Sequence, residues 1–343
     1  MAVDLVSELA AVDAEEFDAL DATAGAVASY HRLAQHERDA RWRVRYARVT
    51  DGPRLLAMLP TYACRGDRWA DPSYDPARWP ESTAADTGPG GYLLVGGSAD
   101  LRSGFHVGPE LRSRIGPLLT AVAGAAAAEG RGLLFPYAYG PTREVLDAAT
   151  GGRISWAPVG AEAVFAQALG GEAELSSRVR RVLRRDRNLI AEQEVEAAAW
   201  PWGEVAGEAA EVIAVHNTRK GLPDHPEFVR MRYAQWADCP SVELVVFTAR
   251  TEGVRAVATG LVWRDELAVH EIALTGEDGP VRLAAYVSVL YHQPARYGAE
   301  RGLRLLRGGL AATAPKAMRG AEFRELHGGV LDAAATRELL TRP

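Results

Sequence analysis

From residue 284 to residue 323 the apolar positions change period twice. Val287, Leu290, Tyr291, Pro294 and Tyr297 recur at threes and fours, which predicts one helical stripe. Gly302 suits the end of that helix, because glycine takes a left-handed backbone without strain. Leu303, Leu305 and Leu306 form a run too short for a helix and read as a buried strand. Gly308 and Gly309 then let the chain turn into a loop that carries Lys316 and Arg319. The same succession occurs earlier. Residues 118–141 predict a helix, a glycine break, a Leu-Leu strand and a loop opened by Pro136. The segments AAAEGRGLLFPYAYGP and YGAERGLRLLRGGLAATAP share an alanine-glutamate helix end before a leucine-rich strand. Candidate strands at 43–50, 54–62 and 92–96 precede the first copy, and 241–249, 254–263 and 266–274 precede the second. Two successive strand-strand-strand-helix-strand modules follow, an α/β (α+β) fold in which each module is a mixed twisted sheet flanked by helices.

The remaining segments fit around these modules. Residues 13–33 predict a helix, with Phe17, Leu20, Val27 and Tyr30 available for packing. Residues 55–60 read as a buried strand stopped by Pro60. Residues 67–91 are irregular, with Pro72, Pro76, Pro80 and Pro89 set among Trp69, Tyr74 and Trp79. A loop of that length in a compact domain is usually a lid or a binding loop, and the aromatics argue for packing. A helix at 142–148 with Thr142 as its N-cap, and strands at 154–159 and 163–168, complete the first module. Residues 176–190, SSRVRRVLRRDRNLI, predict an amphipathic helix: Val179, Val182, Leu183, Leu189 and Ile190 make an apolar stripe, and six arginines with Asp186 occupy much of the rest. Helices at 205–216 and 228–236 open the second module. The predicted division is 1–172, 173–204 for the arginine-rich linker, and 205–343.

A chain of 343 residues with 48% apolar and 24% charged content can form two soluble domains with cores. Cys64 and Cys239 lie in no metal-ligand spacing and read as reduced thiols. Residues 1–21 lack the basic start and apolar core of a secretory signal. The uncharged run 115–128 is too short to cross a bilayer. A cytoplasmic protein without membrane contact is expected. The formal charge of −6 conceals an asymmetry: residues 1–172 hold 16 Lys/Arg against 22 Asp/Glu, and 173–343 hold 23 of each. Residues 296–324 carry seven basic side chains and only Glu300 and Glu322. Local basic patches of this kind can bind a polyanion whatever the total charge.

The familiar chemical motifs are missing. There is no G-x-G-x-x-G after a strand, no Walker P-loop, no His-Glu-x-x-His, no Cys-x-x-Cys and no G-x-S-x-G. No resident metal or cofactor is expected. What remains is catalysis by positioning two substrates and stabilising developing charge. On the arginine helix, Arg178, Arg181, Arg184 and Arg185 could grip phosphates in pairs or simply face solvent. Arg219 and Lys220, in HNTRKG, have the same two possibilities. His216 beside them could be a base, although a helix-terminal histidine complementing the dipole is the better expectation. His270 and Glu271, on the strand LAVHEIAL, are candidates for proton transfer. Arg307, at the end of a buried strand, needs a partner or a ligand.

The strand order resembles that of the GNAT acyltransferases, duplicated in one chain. SSRVRRVLRRDRN, HNTRKG, VRAVATGLVWRDELAVHEIALTG and the stretch from YHQPARYG to MRGAEF resemble the Fem-type aminoacyl transferases. The resemblance extends to relatives in natural-product pathways, including the valanimycin seryl transferase, and covers about two-thirds of the chain. It implies aminoacyl-tRNA as donor and a small amine, hydroxylamine or hydroxyl compound as acceptor, with the first module on the acceptor side and the second on the donor side. It further implies that Lys316 and Arg319 contact the tRNA acceptor end, Lys316 also serving the reaction. Tyr286, Tyr291 and His292 would line an acyl pocket, although core packing is the better expectation for Tyr286, and Tyr137 and Tyr139 would meet the acceptor. An ordinary GNAT enzyme holds the coenzyme A diphosphate on a glycine-rich loop at a helix N-terminus. Here LTGEDGPVRLAAY offers Glu277, Asp278 and Pro280 instead. Each carboxylate would oppose a diphosphate by ~1 kcal/mol or more, and Pro280 removes an amide donor. The segment ADLRSGFHVGPEL of the first module does not supply the spacing either. A coenzyme A-dependent N-acyltransferase and a non-catalytic binding module for tRNA or peptidoglycan precursors remain the alternatives. The sequence leaves the oligomeric state open.

Overall fold

The computed structural model describes residues 1–20, 25–82, 84, 87–97, 106–107, 115–166, 169 and 171–341. Of the segment 99–111, whose missing glycine spacing was noted above, all but His106 and Val107 lie outside the described residues. The chain divides into two compact units, one of Met1–Ala161 with Arg324–Pro343 and one of Glu162–Phe323. This differs from the division expected at 172 and 204. The arginine helix belongs to the second unit, and the last twenty residues return to the first, because the chain after residue 321 becomes a strand of the first sheet.

The first unit contains β1 (Ala2–Val6), β2 (Trp42–Asp51), β3 (Arg54–Cys64), β4 (Tyr92–Val95), β5 (His106–Val107), β6 (Gly132–Tyr139) and most of β7 (Ser155–Val164). Pro60 does not stop β3. Its carbonyl accepts from Gly96 at 2.8 Å, and Tyr46 stands opposite it in the β2 register. The helix expected at 13–33 is broken. α1 (Ala14–Ala19) is capped by Asp13, a 3₁₀ turn follows at Gly25–Ala28, and α2 (Tyr30–Glu37) restarts on Ser29. α3 (Gly116–Ala128) buries Leu118, Leu119, Val122, Ala123 and Ala126 against β6 and its neighbours. α4 (Gly140–Thr150) begins two residues earlier than expected, on Tyr139, and Thr142 is buried inside it rather than capping it. Where strands were expected at 154–159 and 163–168, one strand covers 155–164, and residues 167 and 168 lie outside the described ones. The long loop is packed: Tyr74 is buried, and Trp79 donates from Nε1 to the Ser73 carbonyl at 2.8 Å.

In the second unit α5 (Ser177–Glu192) starts on Ser176, whose Oγ accepts from the Val179 amide. Then come β8 (Glu196–Pro201), α6 (Trp202–Arg219), α7 (Pro226–Ala237), β9 (Glu243–Thr251), β10 (Val254–Trp263) and β11 (Glu266–Leu274). α8 (Pro280–Val287) runs through a π-helical turn, Ser288–His292, into α9 (Gln293–Glu300). Pro294 has no N–H for the carbonyl four residues back, which accounts for a wider turn at that point. β12 (Leu305–Gly309) and a short α10 (Thr313–Ala317) follow. The sheet order is β12-β11-β10-β9-β8, antiparallel except for β11 against β12. Those two pair only from Glu266 to Ala268, opposite Leu305 to Arg307. β4 and β6 repeat this in the first unit with Tyr92 to Leu94 against Gly132 to Leu134. β13 (Glu322–Leu331) then enters the first sheet antiparallel to β6, and α11 (Ala333–Leu340) packs on α3. Among the described residues no helix is long and apolar enough to cross a membrane. Both cysteines are buried free thiols.

Candidate functional site

The central feature of the second unit is a β-bulge. Thr259 pairs with Glu271 and Gly260 with Val269, so His270 is the extra residue. A bulge bends its strand and re-aims the side chains beside it. Gly260 is required there, because a Cβ would come within 3.0 Å of Leu267, Val245 and Phe247. Glu271 is aimed at α6 and α7 and is held by three donors. The Tyr233 hydroxyl donates to Oε2 at 2.6 Å, Asn217 Nδ2 to Oε1 at 3.0 Å, and Arg232 approaches Oε2 at 3.4 Å. The Glu271 amide is itself bonded to Thr259 Oγ1. Asp224 shares both Asn217 and Arg232, at 2.9 and 3.1 Å. Tyr233 is fully buried, and burial, with Glu271 beside it, pushes its phenol well up. His270 is exposed, edge-on to the Tyr233 and Trp236 rings. The two proton-transfer candidates therefore stand together, one rigidly oriented and one open to solvent.

Lys316 and Arg319 are not on an exposed loop. Lys316 lies on α10, is 4% exposed, and donates from Nζ to the carbonyls of Gly309, at 3.2 Å, and Ala311. Burial lowers its pKa, opposed in part by Glu162. Arg319 is 8% exposed and grips Asp186 of α5 with two bonds, Nε to Oδ2 at 2.6 Å and Nη2 to Oδ1 at 3.0 Å. Burial raises the Asp186 pKa, but His292 and Arg319 outweigh it and the net shift is downward. The guanidinium also lies over the Tyr291 ring, 4.6 Å from its centre. Together they close one side of a cavity of about 350 Å³, whose other walls include Phe165, Leu183, Ala295 and Leu306. Arg307 has found protein partners: Nη1 donates to buried Glu162 at 2.7 Å and Nε to Glu266 at 2.8 Å. The sequence expectation of a partner or a ligand is met by the partner.

Arg178, Arg181, Arg184 and Arg185 are exposed on α5, at spacings of three and four along one side. None of the four has an ion pair or hydrogen bond among the described residues. Arg180 and Arg187 are spoken for, Arg180 by the Leu175 carbonyl at 2.6 Å and Arg187 by Glu172. Arg219 donates to the Gly276 carbonyl at 3.1 Å, and Lys220 is exposed. His216 corrects the dipole expectation. It is 6% exposed, its Nδ1 meets the Leu274 backbone, and burial lowers its pKa, so it is held neutral. His216, Lys220, Arg282 and Tyr286 share a second cavity of about 390 Å³. Asp278, in the loop before α8, is paired with Arg282 of that helix, which offsets one of the charges weighed against a diphosphate. In the first unit Tyr137 and Tyr139 are buried in β6, not in a loop. Tyr137 has φ +48°, a strained value for a tyrosine, where β6 bulges against β13. The residues that sequence reasoning missed are the orienting ones: Tyr233, Asn217, Arg232 and Asp186. An acid alone among six arginines was a usable signal for Asp186.

No family model matches the chain, and no curated protein matches it in sequence. Solved structures do match in fold. A conserved protein of unknown function from Bacteroides thetaiotaomicron superposes with a TM-score of 0.61 at 12% identity, over 96% of this chain and all of that one. A tandem GNAT protein from the clavulanic acid biosynthesis pathway gives 0.51 at 14%, over 97% and 99%. The chain thus has a GNAT-like fold, in tandem. FemX matches with a TM-score of 0.62 at 10% identity, over 96% of this chain and 99% of that one. At such identities the likeness concerns the fold.

Proposed function

We propose that the protein is an acyltransferase that moves an aminoacyl group from aminoacyl-tRNA to the amine, hydroxylamine or hydroxyl of a small molecule. The observation that carries this is the row of four arginines on α5 with no carboxylate to neutralise them, in a chain of net charge −6. An exposed guanidinium row without carboxylate partners suits phosphates, and its counterions would be released when a polyanion docks. The fold shared with FemX and a tandem GNAT protein supports acyl transfer.

In this reaction the acceptor nitrogen or oxygen attacks the ester carbonyl carbon. A C–N or C–O bond forms, the ester C–O bond breaks, and the 3′-terminal ribose oxygen leaves with a proton. Glu271, oriented by its three donors, receives the acceptor's proton directly or through His270. To Lys316, which spends two N–H groups on carbonyls, we assign the third N–H for the oxyanion or the departing oxygen, although among the described residues no hydrogen bond or ion pair joins it to Glu271. Its lowered pKa eases that donation. Natural-product or cell-wall chemistry in the cytoplasm suits such a donor. The coenzyme A reading retains one observation in its favour, the neutralisation of Asp278 by Arg282. Incubating the protein with charged tRNA and candidate amines discriminates the two. Product is expected only with tRNA intact, and product from acetyl-CoA after ribonuclease treatment would transfer the assignment to the coenzyme.

A further inference from the structure

We propose that the cavity bounded by α5, the π-helical turn, α9 and β12 receives the side chain of the transferred amino acid. That side chain is large and apolar, of the leucine, phenylalanine or tyrosine kind, rather than that of glycine, alanine or serine. The assignment rests on the aminoacyl-tRNA reading above.

Size and lining set the class. A space of about 350 Å³ walled by Phe165, Leu183, Ala295 and Leu306 has ample room for an aromatic or branched side chain. A methyl or hydroxymethyl group would leave most of the wall atoms without a contact. A charged side chain would find each lining arginine already paired, Arg319 with Asp186, Arg187 with Glu172 and Arg296 with Glu300. Two polar atoms nevertheless face this region without a hydrogen-bond partner among the described residues. The Tyr291 hydroxyl belongs to a residue 5% exposed, and His292 Nε2 stands 3.7 Å from Asp186, beyond hydrogen-bond length. A buried hydroxyl gains from a further hydrogen bond, so within that class the cavity also admits tyrosine, which brings one oxygen on an otherwise apolar body.

Position links the cavity to the donor. α5 bears the unpaired arginines on its exposed side, and Leu183 and Arg187 of the same helix line the cavity. A strand held on that row lies about one helix diameter, ~10 Å, from the opening. Arg319, in the cavity wall, is one helical turn from Lys316.

The test uses two hydrolysis-resistant analogues of a charged 3′ end, the phenylalanyl and glycyl amides of 3′-amino-3′-deoxyadenosine, titrated calorimetrically into the full chain. The phenylalanyl amide should bind at least tenfold more tightly. Ala295→Trp, or Leu183→Trp from a different helix, should reduce that preference to under twofold and leave glycyl binding unchanged. A preference that survives both fillings overturns the assignment. N-acetylphenylalaninamide against N-acetylglycinamide, followed by NMR, separates cavity from carrier. If only these free amides show the preference, and both fillings abolish it, the cavity stands and the tRNA donor falls. If neither pair shows a preference, the cavity assignment is overturned.

Discussion

Replacing Arg178, Arg181 and Arg185 together by glutamine removes three of the four free guanidinium groups and should alter the salt dependence of tRNA binding in a calculable way. Each cation that neutralises a phosphate contributes about 0.9 to the slope of log K against log salt on a duplex, and about 0.7 on a single strand. Four unpaired arginines on one side of α5 therefore supply a slope of about −3 to −4. The triple variant should lose about 2 to 3 of that. Between 50 and 200 mM salt the wild type would then weaken roughly 20- to 60-fold more than the variant. Arg187→Gln is the internal control, because Glu172 already offsets that charge and its contribution should be well below one unit. Filter binding or fluorescence anisotropy with one tRNA across the salt range reads both slopes. An unchanged slope in the triple variant, or a loss in Arg187→Gln as large per residue, would return the row to an ordinary solvated face.

Three further outcomes follow from the buried polar groups of the second unit. Arg319→Leu strands the Asp186 carboxylate and should cost about 3 to 5 kcal/mol in chemical denaturation; Asp186→Asn added to it should recover much of the loss. A deficit under 1 kcal/mol would mean that the pair is solvated. Tyr233→Phe deletes the 2.6 Å bond to Glu271 and a bond to Thr259, and about 1.5 to 3 kcal/mol of stability should go with them. Lys316 predicts a pH effect. Its folded pKa lies below the ordinary 10.5, so between those values the unfolded chain binds more protons and stability gains from rising pH. Comparing denaturation at pH 7.5 and 10, that gain should be present in the wild type and absent in Lys316→Met; an equal gain in both contradicts the lowered pKa.

Local patterns read well where one strand or helix face decided them. β10 and β11 have the expected bounds, since largely apolar runs between Gly253, the Arg264–Asp265 turn and Thr275 fix their ends. The strands around Leu133 and Leu306 were legible because both copies keep the same leucines; their parallel pairing with β4 and β11 is what the structure adds. What escaped was set at long range. Asp186 is the buried residue of α5 only because Arg319, 133 residues on, reaches it. β13 mixes Glu, Arg and His with two glycines, and its place beside β6 depends on Trp79 and Trp156 packing where Gly328 and Gly329 have no side chain. The role of Pro60 failed for a related reason: a proline lacks a donor but keeps its acceptor, and here the acceptor is the side that pairs. Lys316 looked exposed because nothing near it in sequence announces the carbonyls of Gly309 and Ala311 as its partners.

The donor is the claim on which the functional account turns, and transfer from charged tRNA measures it directly. Total tRNA acylated with labelled amino acids, incubated with the protein and a panel of small amines, should yield labelled amide that disappears when ribonuclease precedes the protein. Label that accumulates regardless of ribonuclease, or that comes only from an acyl-CoA, would contradict the account.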